Sequence, residues 1–328
     1  MSLGQSASMT SVAGASQSEA CERPKRLHRY ETAVADSIRW DAFRPRRGDI
    51  VVMTPPKCGT TWTQMLCALL VHGPKLPQPL TRLSPWLDRL STPTDALMAE
   101  LDAQTWRRVI KTHTPLDGIP YYEEVSYVFT GRDPRDAFLS MMDNMQNASA
   151  ATMTAVRERL GLTDSFAFPT DPNAFFDVWM TSPIHGWVED GFPTGSVFAT
   201  ARTFWPYRRA PNIAFLHYRD LSLDLEGEMR RLARFLGIAV AEADWPAILR
   251  AASFAAMQES ADANAPGAHL GEWTSNAAFF KRARLGEWRE VLNAENQALY
   301  AELAPTRVPP PMRAWLEGGR TAADLKQV

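Results

Sequence analysis

The sequence is poor in cysteine, poor in long apolar runs and without an excess of positive charge, and each lack removes a class of protein. The three cysteines, Cys21, Cys58 and Cys67, share no metal-ligand spacing and form no even set. That excludes a disulfide framework and points to free thiols in a reducing, cytoplasmic compartment. The longest clean apolar stretch, residues 65–71, is far short of the roughly 20 residues a membrane helix needs, and no apolar run near the start reads as a secretory signal. A formal net charge of −2 excludes a nucleic-acid binder working through a broad basic surface. With 45% hydrophobic and 22% charged residues, the chain is ordinary globular material that can bury a large core. Positive charge that matters must be local.

Residues 1–20, rich in Ser, Ala, Gly and Gln, read as a flexible leader, which leaves 21–328 as the folded domain. Residues 49–53 form a short β-rich run that breaks at Thr54-Pro55-Pro56, and residues 60–71 carry a helix-like apolar pattern. The unit recurs. Strands are predicted at 108–111, 126–130 and 213–218, with a helix from Pro134 onward and another over 221–236 stopped by Gly237. Strands alternating with helices imply an α/β fold with a central, mainly parallel sheet covered on both faces. Residues 261–278 lack apolar periodicity and are expected to form a mobile loop; Pro309-Pro310-Pro311 is expected to end the regular structure.

A strand that ends in Thr54-Pro55-Pro56-Lys57-Cys58-Gly59-Thr60-Thr61 and then opens a helix presents backbone N–H groups and a helix dipole to an anion. In a Walker A loop the lysine directly follows the second glycine. Here Thr60 follows Gly59 and the lysine comes earlier, at Lys57, which disfavours a triphosphatase or kinase. Arg132 falls at the carboxyl end of a predicted parallel strand, where open α/β sheets place their ligands, and its guanidinium suits a phosphate. Ser140 lies about two helical turns further on and faces the same crevice.

The run Pro56, Lys57, Gly59, Thr60, Thr61, Trp62 resembles the PKxGTTW loop of the cytosolic sulfotransferases that use 3'-phosphoadenosine 5'-phosphosulfate (PAPS). The resemblance implies a single domain of the P-loop-kinase-like sulfotransferase fold, with Lys57, Gly59, Thr60 and Thr61 at the 5'-phosphosulfate and Trp62 on adenine. It extends to Arg132 and Ser140, which match the family's 3'-phosphate motif. Tyr218, in Tyr218-Arg219-Asp220-Leu221, and Phe254 match adenine contacts. The segment 280–288 resembles the family's RKGxxGDW, with Lys281 and Arg282 at its two basic positions and Ala283 replacing its first glycine.

His113, in Lys111-Thr112-His113-Thr114-Pro115, matches the base of the family's KTHLP motif, with Thr114 where the family has leucine. Histidine titrates near neutrality and takes a proton from a hydroxyl as sulfur is attacked. Lys57 is placed to neutralise charge on the bridging oxygen, with Lys111 assisting, and the family's use of the serine implies that Ser140 restrains Lys57 until an acceptor arrives. A sulfuryl group has fewer ionisable oxygens than a phosphoryl group, so no metal is expected. Trp86, Leu87, Phe138 and Met142, with Met141, are candidates for the acceptor pocket.

These residues point to sulfuryl transfer from PAPS, releasing PAP, to a small apolar acceptor bearing a hydroxyl. A kinase on a related fold and a non-catalytic PAP-binding protein are the alternatives, and sulfation followed by elimination remains open as a variant of the first. Many family members dimerise through a short C-terminal motif to which residues 291–295 have a slight likeness, which leaves a homodimer open.

Overall fold

The β-rich runs become four short parallel strands in the computed structural model, which describes residues 22–162, 168–280 and 284–323. They are β1 (Ile50–Met53), β2 (Val109–Thr112), β3 (Ser126–Gly131) and β4 (Ile213–His217), in the order β2-β1-β3-β4. Each strand is almost wholly buried because both faces are covered. Alternation sends Val51, Met53, Tyr127 and Phe129 into one core and Ile50, Val52 and Val128 into the other. The expected leader, residues 1–20, lies outside the described residues.

Four expectations need correction. The last strand stops at His217, whose imidazole Nδ1 accepts from Arg219 N–H, so Tyr218 opens a helix instead of closing a strand. The helix expected over 221–236 is two helices, Tyr218–Leu223 and Leu225–Leu236, broken at Asp224, whose carboxylate caps the second by accepting from Gly227 N–H. Residues 261–278 contain short helices at Ala261–Asn264, Ala268–Leu270 and Asn276–Phe279, tied down by hydrogen bonds such as Trp273 Nε1 to Pro266 O. The triple proline starts a helix, Pro310–Gly318, since proline at the first helical turn loses no bond. That helix buries Met312, Trp315 and Leu316. Gly131, at the end of β3, makes room for Trp315: a Cβ there would lie 2.3 Å from the indole ring.

Sequential β–loop–helix units place two junctions side by side at the carboxyl edge of the sheet. One joins β1 to α1 (Thr60–His72) and the other joins β3 to α2 (Pro134–Asn147). Next to them, β2 ends at Thr112 and delivers His113 to the same edge.

Candidate active site

The β1–α1 loop is held in a conformation few residues adopt. Lys57 has φ +65°, a left-handed value that costs a non-glycine residue about 1 kcal/mol, and Gly59 has φ +95°. Gly59 has a second constraint: a Cβ would stand 2.9 Å from the Tyr218 ring. As N-cap, Gly59 offers no side chain to the first turn of α1, so the N–H groups of Thr60 and Thr61 remain available for an anion. The Thr54 and Thr60 hydroxyls hydrogen-bond across the loop, and Thr63 Oγ1 meets Thr130 Oγ1 at 2.8 Å, fastening α1 to β3. Cys58 is buried behind the loop and its thiol is pushed up to about 12 by desolvation; neither it nor Cys67 is in a disulfide.

Arg132 reaches the loop from β3. Its Nη1 donates to Lys57 O at 3.1 Å and its guanidinium lies 4.2 Å over the Tyr218 ring, yet its Nε is buried without a partner. Among the described residues Arg132 makes no ion pair. Asp136, the obvious candidate, instead accepts from Gly286 N–H at 2.8 Å. An arginine that is 4% exposed with an unsatisfied N–H is a cation arranged for an anion that arrives from outside. Trp62 packs edge-on to Tyr218 at 5.4 Å and donates to Ala252 O, while Phe254 lies on the same wall.

His113 Nδ1 is 2.9 Å from Thr54 O. A carbonyl only accepts, so Nδ1 carries the proton and Nε2 keeps its lone pair. Trp86 stands perpendicular to the imidazole at 4.9 Å, and Lys111 Nζ lies 4.2 Å over the Trp86 ring. Burial is the main cause of three depressed pKa values. Lys57 falls to about 7, with repulsion from Arg132 adding to burial and Asp143 opposing it. Lys111 falls to about 7, with Arg89 adding and Asp88 opposing. His113 falls well below its ordinary value, with Lys111 adding. The imidazole is therefore a neutral base at pH 7, beside two lysines that any anion would recharge.

These groups line one cavity of about 340 Å³. Lys57, Gly59, Thr60, Thr61, Trp62, Trp86, Lys111, His113, Arg132, Ser140, Tyr218 and Phe254 all contribute, as does Met141. Three predicted pocket residues do not. Phe138 and Met142 lie about 200° around α2 from Ser140 and are buried in the core, with Phe138 packed among Phe175, Phe176 and Trp179. Leu87 follows Trp86 in an extended stretch bridged to β2, so alternation turns it into the core. Lys281, Arg282 and Ala283 lie outside the described residues. Beside them, Phe280 lines the cavity, and Trp288 is covered by the Arg135 guanidinium at 3.6 Å.

Sequence reasoning missed Asn144, whose Oδ1 accepts from Lys57 Nζ at 2.8 Å. Its one signal was its position four residues after Ser140, on the same face of α2. Also missed was the far wall of the cavity, with Val34, Met145, Ile184 and Val188. The helix Ala150–Arg159, here called the roof of the cavity, adds Thr152, Met153 and Val156 to the lining while burying none of its own residues.

Residues 47–303 match the sulfotransferase domain family. The chain belongs to the sulfotransferase family. A glycolipid sulfotransferase of Mycobacterium bovis is 38% identical over 312 residues, covering 90% of this chain and 95% of that protein, and one of Mycobacterium tuberculosis is 37% identical over 311. Among solved structures, mouse sulfotransferase SULT7A1 complexed with PAP aligns with a TM-score of 0.61 at 20% identity, covering 88% of this chain and 93% of that one. Retinol dehydratase in a complex with retinol and PAP aligns with a TM-score of 0.64 at 19% identity, covering 84% and 87%. At such identity these two speak for the fold. Membership makes the chain a PAPS-dependent sulfotransferase and removes the kinase and non-catalytic readings. Among the described residues no helix is long and apolar enough to cross a membrane.

Proposed function

We propose that this sulfotransferase transfers the sulfuryl group of PAPS to a hydroxyl of an amphiphilic, glycolipid-like acceptor, with His113 as base. The observation that carries the reading is the hydrogen bond from His113 Nδ1 to Thr54 O, which aims a neutral imidazole's Nε2 lone pair for proton removal in the cavity that Lys57 also lines. The first-turn N–H groups with Lys57, Thr60 and Thr61 fit the 5'-phosphosulfate, and the unpartnered Nε of Arg132, with Ser140, fits the 3'-phosphate. Trp62, Tyr218 and Phe254 form an aromatic wall suited to adenine.

As the acceptor oxygen attacks sulfur, His113 Nε2 takes its proton. Lys57, recharged by the bound anion, neutralises the bridging oxygen as its bond to sulfur breaks, with Lys111 in support. These cations do the work a divalent metal does in phosphoryl transfer, so turnover withstands chelators. The compartment is cytoplasmic, in keeping with the free thiols of Cys58 and Cys67. The apolar far wall and the names of the mycobacterial relatives support an acceptor with a hydrocarbon portion beside its hydroxyl.

The test is transfer of labelled sulfuryl from PAPS to a panel of glycolipids, simple alcohols and phenols, with EDTA present. Activity greatest on glycolipids and lost in His113→Ala supports the reading. Preference for short polar alcohols would overturn the acceptor class, and activity surviving in His113→Ala would overturn the base.

A further inference from the structure

The residues on either side of His113 end on one buried carboxylate. Asp88 is fully buried, and its Oδ2 accepts from the hydroxyls of both Thr112 and Thr114 and from Trp40 Nε1 at 3.4 Å. Thr112 Oγ1 also accepts from Thr114 N–H at 2.9 Å, closing a small ring of hydrogen bonds across the histidine. Asp88 is itself fixed, because Leu87 N–H donates to Lys111 O at 3.0 Å and Asp36 N–H to Asp88 O at 2.8 Å. Asp88 makes no ion pair among the described residues; its Oδ1 is buried without a well-formed hydrogen bond, and the Trp86 indole also favours the charged carboxylate.

A carboxylate costs much to bury, and neutral hydroxyls offset that cost only in part. A carboxylate kept without a salt bridge, spending one oxygen on the two neighbours of the base, has the geometry of a clamp. Thr114 makes it two-sided: the leucine found at that position in the KTHLP motif has no hydroxyl to donate. His113 then depends on two anchors, the Thr54 carbonyl on Nδ1 and the Asp88 clamp on the backbone either side.

We propose that Asp88 is a positioning residue for the base, acting through Thr112 and Thr114 to hold His113 Nε2 where the acceptor hydroxyl must lie. The proposal rests on His113 as base. A misplacement of about 1 Å can cost on the order of a hundredfold in rate, so the clamp acts on kcat and leaves donor binding alone.

The experiment compares Thr114→Val, Asp88→Leu and Asp88→Asn with wild type and His113→Ala, measuring kcat, KM for PAPS, PAP affinity by calorimetry and Tm. Because Oδ2 takes the hydrogen bonds from Thr112, Thr114 and Trp40, an asparagine whose amide oxygen occupies that place keeps all three. The expected results are a loss in kcat of roughly tenfold for Thr114→Val and roughly a hundredfold for Asp88→Leu. KM for PAPS and PAP affinity stay within about twofold in Thr114→Val, which leaves in place the carboxylate that supports the charge of Lys111, and Asp88→Asn recovers most of the rate. Thr114→Val is the milder change and keeps the test decisive if Asp88→Leu does not fold. Wild-type kcat in Thr114→Val, or a parallel fall of kcat and PAP affinity in that variant, would overturn the proposal. Activity surviving in His113→Ala would instead count against the base itself.

Discussion

Lys57 Nζ donates to Asn144 Oδ1 at 2.8 Å, one helical turn beyond the serine that resemblance puts forward as its restraint. The lysine also lies 4.3 Å over the Phe279 ring, so two groups hold it in place. Freed from Asn144, its ammonium is free to reach the bridging oxygen before any acceptor arrives. Asn144→Ala is expected to raise PAPS hydrolysis without acceptor by roughly tenfold, the worth of a hydrogen bond to a charged group, and Ser140→Ala to raise it less. PAP release measured without acceptor decides. Equal rates in wild type and Asn144→Ala would remove the restraint from this asparagine.

The lysines set the pH dependence. In the free protein burial holds Lys57 and Lys111 at about 7, so both lose charge as pH rises through neutrality. A bound anion raises both values, which means that binding takes up protons. PAP affinity is expected to fall between about pH 6 and pH 9, and calorimetry in buffers of contrasting ionisation enthalpy should register proton uptake near pH 7.5. His113, held well below its ordinary value, stays neutral across this window, so the acid limb of the rate lies below about pH 6.5. Binding without proton exchange would contradict the lysine assignment.

Arg132 has a different signature, that of a planar guanidinium with its donors in a fixed fork. Arg132→Ala should weaken PAP binding by roughly a hundredfold, the upper end for a charge-assisted contact. Arg132→Lys should recover little, since an ammonium neither forks onto a phosphate nor lies flat on Tyr218. Full recovery by lysine would mean that position 132 supplies charge alone.

Legibility in the sequence followed the range of the interactions involved. The strand–loop–helix turn at Lys57 was readable because Gly59, Lys57 and the start of α1 are neighbours in the chain and their conformation is local. The strands were readable because both faces are buried and leave unbroken apolar runs. The role of Asn144 was not, since nothing local says that a lysine 87 residues away arrives there. Phe138 and Met142 were misplaced for the same reason: an apolar residue on α2 suits core and pocket equally, and only the rotation of the packed helix separates them. The break at Asp224 and the helix at Pro310 were legible in principle, through capping and proline preferences, but the longer apolar period and the proline cluster outweighed them.

The helix Pro310–Gly318 belongs to the fold, and Gly131 is where this can be measured. Gly131→Ala drives a methyl into Trp315 and is expected to destabilise the protein by about 2 kcal/mol, in the range for overpacking. Pairing it with Trp315→Leu should return part of that loss. Equilibrium urea unfolding of the single and double variants tests the coupling. Additive effects would mean that the indole does not limit Gly131.

The roof of the cavity, the helix Ala150–Arg159, has no buried residue, although Thr152, Met153 and Val156 look onto the space where an acceptor would lie. Its side chains, half-buried or exposed, are tied to the rest of the protein by few bonds, such as Thr152 Oγ1 to Glu272 O and Arg159 Nη1 to Ala33 O, and those lining the cavity bear directly on what it admits. Changes at Met153 or Val156 carry a smaller folding penalty than changes in the core, whereas the loop at Lys57 and the clamp around His113 have little freedom to vary. Acceptor choice in this scaffold can drift through the roof while the machinery beneath it stays fixed.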